Sequence, residues 1–89
     1  MFAFAPWVSF RSDWPSLESN RYKDIIPKEA TAKWAAAYLN GKKADAWSEP
    51  LGAPTEWWRG ALVERVIVLA GKDEILLDAI EEFVARFKV

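Results

Sequence analysis

The sequence predicts an α/β fold: two parallel-type strands, a helical excursion between them, and an amphipathic helix after the second strand. Three observations carry this. Val66, Ile67, Val68 and Leu69 form a continuous apolar run with no polar alternation, the pattern of a strand covered on both faces. Gly71-Lys72-Asp73 breaks that run. From Glu74 or Ile75 to about Phe87, Leu76, Ile80, Phe83, Val84 and Phe87 then recur at helical spacing.

The earlier elements follow in order. Met1 to Phe10 is rich in strand-forming Phe, Val and Trp, and Pro6 interrupts it. A short strand to Ala5 and an extended segment from Trp7 to Phe10 are expected. From Arg11 to Asn20 the composition turns to Ser, Asp, Pro and Asn, which reads as a loop. Pro27 is suited to opening a helix, because its missing N–H is unpaired there anyway. Lys28 to Leu39 reads as that helix, stopped by Asn40-Gly41, with Ala30, Trp34, Ala37 and Tyr38 on one apolar face and Trp34 in the core. Lys42 to Gly60 is a long irregular connection holding Pro50, Gly52 and Pro54. A helical turn over Thr55 to Arg59 is expected within it, capped by Thr55. In the last helix, acidic Asp73, Glu74 and Asp78 at the start and basic Arg86 and Lys88 at the end suit the helix dipole. Glu82 and Arg86 are spaced for an i, i+4 ion pair.

Bulk properties narrow the classes. The 89 residues make one domain or part of one, with 52% hydrophobic and 28% charged residues, which is a globular composition. A chain this short buries a modest share of its surface, on the order of 60%. The net charge of −1 and basic clusters no larger than that of Arg21 and Lys23 give no footprint for nucleic acid. No apolar run approaches the ~20 residues of a membrane span. The apolar start, MFAFAPWVSF, lacks the basic region and cleavage site of a signal peptide. Cysteine is absent, which removes disulfides, thiolate metal sites and thiol catalysis.

The chemistry available to the side chains is narrow. Histidine is absent, so no Ser-His-Asp triad closes within the chain. None of Ser9, Ser12, Ser16, Ser19 and Ser48 lies in a Gly-x-Ser-x-Gly elbow. Asp73 stands just past the carboxyl end of the second strand, where open α/β sheets gather ligands and catalytic groups. Asp73, Glu74 and Asp78 match no calcium loop, and helix-dipole compensation accounts for them without a metal. No cofactor is expected. The six tryptophans Trp7, Trp14, Trp34, Trp47, Trp57 and Trp58 are open to two uses, packing a small core or lining a sugar, lipid or protein surface.

Four segments in order carry a family resemblance: PWVSF (Pro6 to Phe10), NRYKDII (Asn20 to Ile26), EPLGAP..WW (Glu49 to Trp58) and VIVLAGKDEILLD (Val66 to Asp78). Together they resemble the C-terminal portion of α/β-hydrolase fold-3 enzymes, the hormone-sensitive-lipase-like esterases, with a look nearest to fungal members that include steryl acetyl hydrolases. The resemblance implies a single partial α/β-hydrolase domain over residues 1–89, truncated before the last strand and the catalytic histidine. It assigns Asp73 as the triad acid and Asp78 as a structural acid at the helix start. Residues from about Asn20 to Trp58 become a helical excursion near the substrate pocket, with Trp57 and Trp58 either pocket-side or packing. The implied partner of a full-length enzyme is an ester or lipid-like small molecule.

Three functions follow. The first is a fragment of a carboxylic-ester hydrolase, a serine hydrolase of esterase or lipase type, inactive alone because it holds only the acid. The second is a non-catalytic Trp-rich protein-interaction module, with self-association through exposed strand edges. The third is a small carbohydrate- or lipid-binding domain built on the tryptophans. Two strands stripped of sheet neighbours are expected to fold marginally, as oligomers or as a helix-rich collapsed state.

Overall fold

The apolar runs at the two ends of the excursion pair with each other. In the computed structural model, which describes residues 1–87, β1 (Phe2–Phe4) and β2 (Ile67–Leu69) lie side by side in parallel. The register sets Phe2 against Ile67, Ala3 against Val68 and Phe4 against Leu69. The Ile67 N–H donates to the Met1 carbonyl at 2.8 Å, and the Ala5 N–H donates to the Leu69 carbonyl at 2.7 Å.

Strand alternation puts Phe2, Phe4, Ile67 and Leu69 on one face, and that face is bare. The expected two-sided burial of the Val66–Leu69 run is therefore corrected: Val66, Ile67 and Leu69 stay 44%, 46% and 44% exposed. One partner strand and one nearby helix cannot cover both faces. On the other face Val66 and Val68 look across an open groove of ≈ 820 Å³ toward Phe83, Val84 and Phe87.

Between the strands come α1 (Pro15–Ser19), α2 (Lys28–Leu39) and a 3₁₀ turn (Pro50–Gly52); α3 (Leu77–Phe87) follows β2. The first of these corrects the loop expected over Arg11 to Asn20. A five-residue helix has no autonomous stability, so periodicity does not announce it. Its partner is distant in sequence. Trp14 at the N-cap offers no side-chain cap, and the Ser16 N–H instead donates to Asp78 Oδ2 at 2.6 Å. In return the Asp78 N–H donates to Ser16 Oγ at 3.1 Å, while that hydroxyl donates to the Ile75 carbonyl at 2.8 Å. Each helix thus caps the other.

The bounds of α2 match the expected Lys28 to Leu39, with Asn40 in the left-handed region at φ +49° and Gly41 at φ +81°. Its orientation does not match. The buried side carries Ala35, whereas Trp34 is 48% exposed and Ala37 and Tyr38 are exposed. Alanine is apolar on every side of this helix, so the sequence marks no unique inner stripe. Tyr38 lies beside the Phe10 ring, 6.3 Å between centroids. Charges tie α2 to α1 and to the turn after it: Lys28 Nζ donates to Glu18 Oε2 at 3.0 Å, and Arg21, just past α1, pairs with Glu29.

The connection from Lys42 to Gly60 is locally ordered. The Asp45 carboxylate accepts the Trp47 and Ser48 N–H groups, each at 3.0 Å. Turns run over Thr55 to Gly60, but Thr55 is not their cap. The Pro54 carbonyl accepts the Trp57 N–H at 3.0 Å, and the Thr55 hydroxyl goes to Glu56. α3 starts later than Glu74 or Ile75, because residues 74–76 form a turn fixed by α1 and the loop after it. Arg86 does not take up the expected pairing with Glu82; it donates to the Ala53 carbonyl at 3.1 Å. Lys88, expected at the same helix end, lies outside the described residues.

The core sits between α3, α1 and the 3₁₀ turn. Val8, Leu51 and Ala79 cluster, with Trp14 and Phe83 packed against them, and Ile75 is fully buried. Among the described residues no helix is long and apolar enough to cross a membrane.

Ser16→Ala is expected to cost about 1–3 kcal/mol, since it strips a partner from the Asp78 N–H and from the Ile75 carbonyl. Urea unfolding followed by far-UV CD measures it; an unchanged midpoint would show that mutual capping contributes nothing. A second test uses pH. The N–H of Ser48, and after it that of Trp47, holds the Asp45 carboxyl below the usual carboxylate range. A lowered folded pKa means that the turn's stabilisation is complete above the unfolded value and is lost as pH falls through the folded one. The Ser48 amide resonance should therefore hold steady between about pH 5 and 8 and move only once pH falls below the usual carboxylate range. Asp45→Asn should abolish that acid transition.

Candidate functional site

β2 ends at Leu69, and the chain turns through Gly71-Lys72-Asp73 before α3 begins. Gly71 lets Glu74 approach closely: a Cβ there would meet Glu74 Oε1 at 3.2 Å and Glu74 Cγ at 3.3 Å, so that side chain would have to give by a few tenths of an ångström. Glu74 folds back over this glycine, and its Oε2 is buried with no hydrogen-bond partner. Asp73, the acid assigned by resemblance, stands at the carboxyl rim of the strand. Its side chain is 57% exposed, with Lys23 Nζ at 4.0 Å from Oδ1. At that distance and exposure the pair contributes little.

The three acids of this segment go to three different places. Asp73 faces Lys23 and solvent, Glu74 lies on Gly71, and Asp78 caps α1. No two of these three carboxylates share an environment. Among the described residues no group of three or more His, Cys, Asp or Glu side chains gathers as a metal site.

What the structure builds with care is the backbone around Asp73. Asp24 Oδ2 accepts the Ile75 N–H at 2.9 Å while Oδ1 accepts the Ile26 N–H at 2.9 Å. Ser16 holds the Ile75 carbonyl, and Asn20 reaches the same turn from the end of α1. Sequence reasoning did not single out Ser16, Asn20 or Asp24 for this role. All three sit in or beside stretches whose polar composition reads as loop. The NRYKDII segment that contributed to the resemblance does contain Asn20 and Asp24, and it was the one available signal.

Three of the six tryptophans, Trp47, Trp57 and Trp58, form a ribbon. Trp57 meets Trp47 and Trp58 edge-on, each at 4.9 Å, and Trp58 meets Phe83 at 6.2 Å and Phe87 at 6.4 Å. Trp57 therefore packs between two indoles. Trp58 both packs and lines the groove beside β2, with its Nε1 buried and unpaired. Asp73 does not line that groove. Among the serines, Ser9 is buried, but its hydroxyl serves the Trp14 indole, the Arg11 N–H and Glu49, and no imidazole is near to activate it.

No family model, curated protein or solved structure matches the chain.

Proposed function

We propose that this chain is the acid-bearing segment of a carboxylic-ester hydrolase of the serine-hydrolase type, a partial α/β-hydrolase domain acting on ester or lipid-like small molecules. The observation that supports it is the position of Asp73: one turn past a parallel strand, with its flanking backbone tied down and its exposed carboxylate 4.0 Å from Lys23 Nζ. In such an enzyme the acid accepts the Nδ1–H of a histidine, holds the ring in the productive tautomer and stabilises the imidazolium. The histidine then takes the proton of the attacking serine. Neither that base nor a serine elbow is among these 89 residues. A histidine arriving at Asp73 would have to displace Lys23, and a 4.0 Å contact between exposed groups presents little resistance.

The chain alone should not turn over p-nitrophenyl acetate above the buffer rate, and Asp73→Asn should change nothing. Turnover abolished by that substitution would contradict an incomplete triad. The positive test follows the tryptic peptide Val66 to Lys72 in source-cell extracts labelled with a fluorophosphonate and separated by size. Co-migration with a labelled species several times 10.1 kDa is expected. Peptide found only in unlabelled material at 10.1 kDa would overturn the proposal.

A non-catalytic interaction module is the second reading, favoured by the bare sheet face of Phe2, Phe4, Ile67 and Leu69 and the unpaired outer edges of the two strands. Aligned apolar side chains beside open strand edges promote pairing between copies. Sedimentation velocity should show concentration-dependent association that Phe4→Lys weakens. A wild-type chain that stays monomeric throughout would remove this reading.

A further inference from the structure

We propose that Asn20 is the positioning residue of the Asp73 turn, an inference that rests on the hydrolase reading for its chemical purpose but not for its test. Its Nδ2 donates to the Lys72 carbonyl at 3.1 Å and to the Glu74 carbonyl at 2.7 Å. Those carbonyls belong to the residues immediately before and after Asp73. One nitrogen therefore bridges the whole peptide span that carries the acid, without touching the acid itself.

The residue type follows from the task. Two carbonyl oxygens facing one point require two N–H donors on one atom, and a carboxamide supplies them. This also settles the amide orientation, since the reversed one would bring oxygen against two carbonyls. Aspartate has the same shape but only acceptors, so it would repel both. Serine has one donor on a shorter arm. Asn20 is 5% exposed, which shields both bonds from competing water.

Asn20 is itself held by its backbone. Its N–H donates to the Ser16 carbonyl at 3.0 Å, and its carbonyl accepts the Lys23 and Asp24 N–H groups at 3.0 and 3.2 Å. The same turn thus sets Asp24 to receive the Ile75 N–H and brings Lys23 beside Asp73. These main-chain bonds survive a change of the Asn20 side chain. Its φ of −103° also accepts any L-residue, so substitution removes the bridge and little else.

The test is native-state amide exchange by NMR on the full chain, comparing wild type with Asn20→Asp and Asn20→Ala. The isosteric Asn20→Asp variant should exchange the Glu74 and Ile75 amides about tenfold faster or more, while the α2 amides keep their wild-type rates. The Asp73 amide resonance should broaden or split. Asn20→Ala should loosen the same amides; should it fail to fold, Asn20→Asp still decides. Wild-type exchange at Glu74 and Ile75 in Asn20→Asp overturns the proposal, and so does acceleration shared equally with α2, which marks a merely structural residue. No ester turnover enters this readout. Local loosening combined with failed fluorophosphonate co-migration would leave Asn20 as the positioner of the turn and remove the hydrolase reading alone.

Discussion

The two hydrogen bonds by which Ser16 and Asp78 cap each other's helices connect positions 62 residues apart, and the rest of the structure depends on them. α1 is too short to persist alone. Without the Asp78 carboxylate the Ser16 N–H in its first turn loses its partner, and there is no side-chain cap from Trp14. Once held, α1 places Leu17 in the interior and Asn20 at the strand rim, and the turn after it brings Asp24 to Ile75. Packing, helix geometry and the rim turn share one polar joint. A carboxylate at a helix N-terminus also meets the favourable end of the helix dipole, which strengthens the joint beyond a neutral hydrogen bond.

The sheet is the weaker half. Two strands of three residues each, joined by a long connection, carry a large closure entropy for few ladder hydrogen bonds. Side-chain burial does not compensate, because one face holds four large apolar groups in water. The aromatic ribbon from Trp47 through Trp57 and Trp58 to Phe87 supplies edge-to-face contacts along the surface rather than a filled interior. Order is therefore concentrated around α1, the 3₁₀ turn and the first half of α3, where the buried residues cluster.

Local signals in the sequence were enough for elements whose ends carry punctuation. Pro27 and Asn40-Gly41 bound α2, and the Val66–Leu69 run marked β2 before its glycine. Whatever depended on a distant neighbour was not legible. The five residues of α1 look like loop because a carboxylate far along the chain makes them helical. Trp34 faces outward because no element packs on its side of an alanine-rich helix, and helical spacing says nothing about that. The burial of β2 was overstated because an apolar run reports what a strand tolerates, while its neighbours decide how much is covered. Near β2, the place of Asp73 at the carboxyl rim is readable from the strand and turn alone. The residues that hold its backbone are not, being polar side chains 51 to 59 residues away from their partners.

Around Asp73, placement and chemistry are assigned to different groups. The main chain on both sides is bonded to buried or half-buried side chains, while the carboxylate, among the described residues, keeps a long contact with an exposed lysine. An acid already committed to a strong internal partner would lose that partner, at considerable cost, before it could orient another group. One left in water is available but weak, because solvent screens it. Covering the rim would change the second property without disturbing the first. As water left, the same carboxylate would attract an imidazolium several times more strongly, with its backbone already in place. On the hydrolase reading we propose, a rim acid with a fixed main chain and a weakly paired carboxylate would suit chemistry that begins once an imidazole is placed against it.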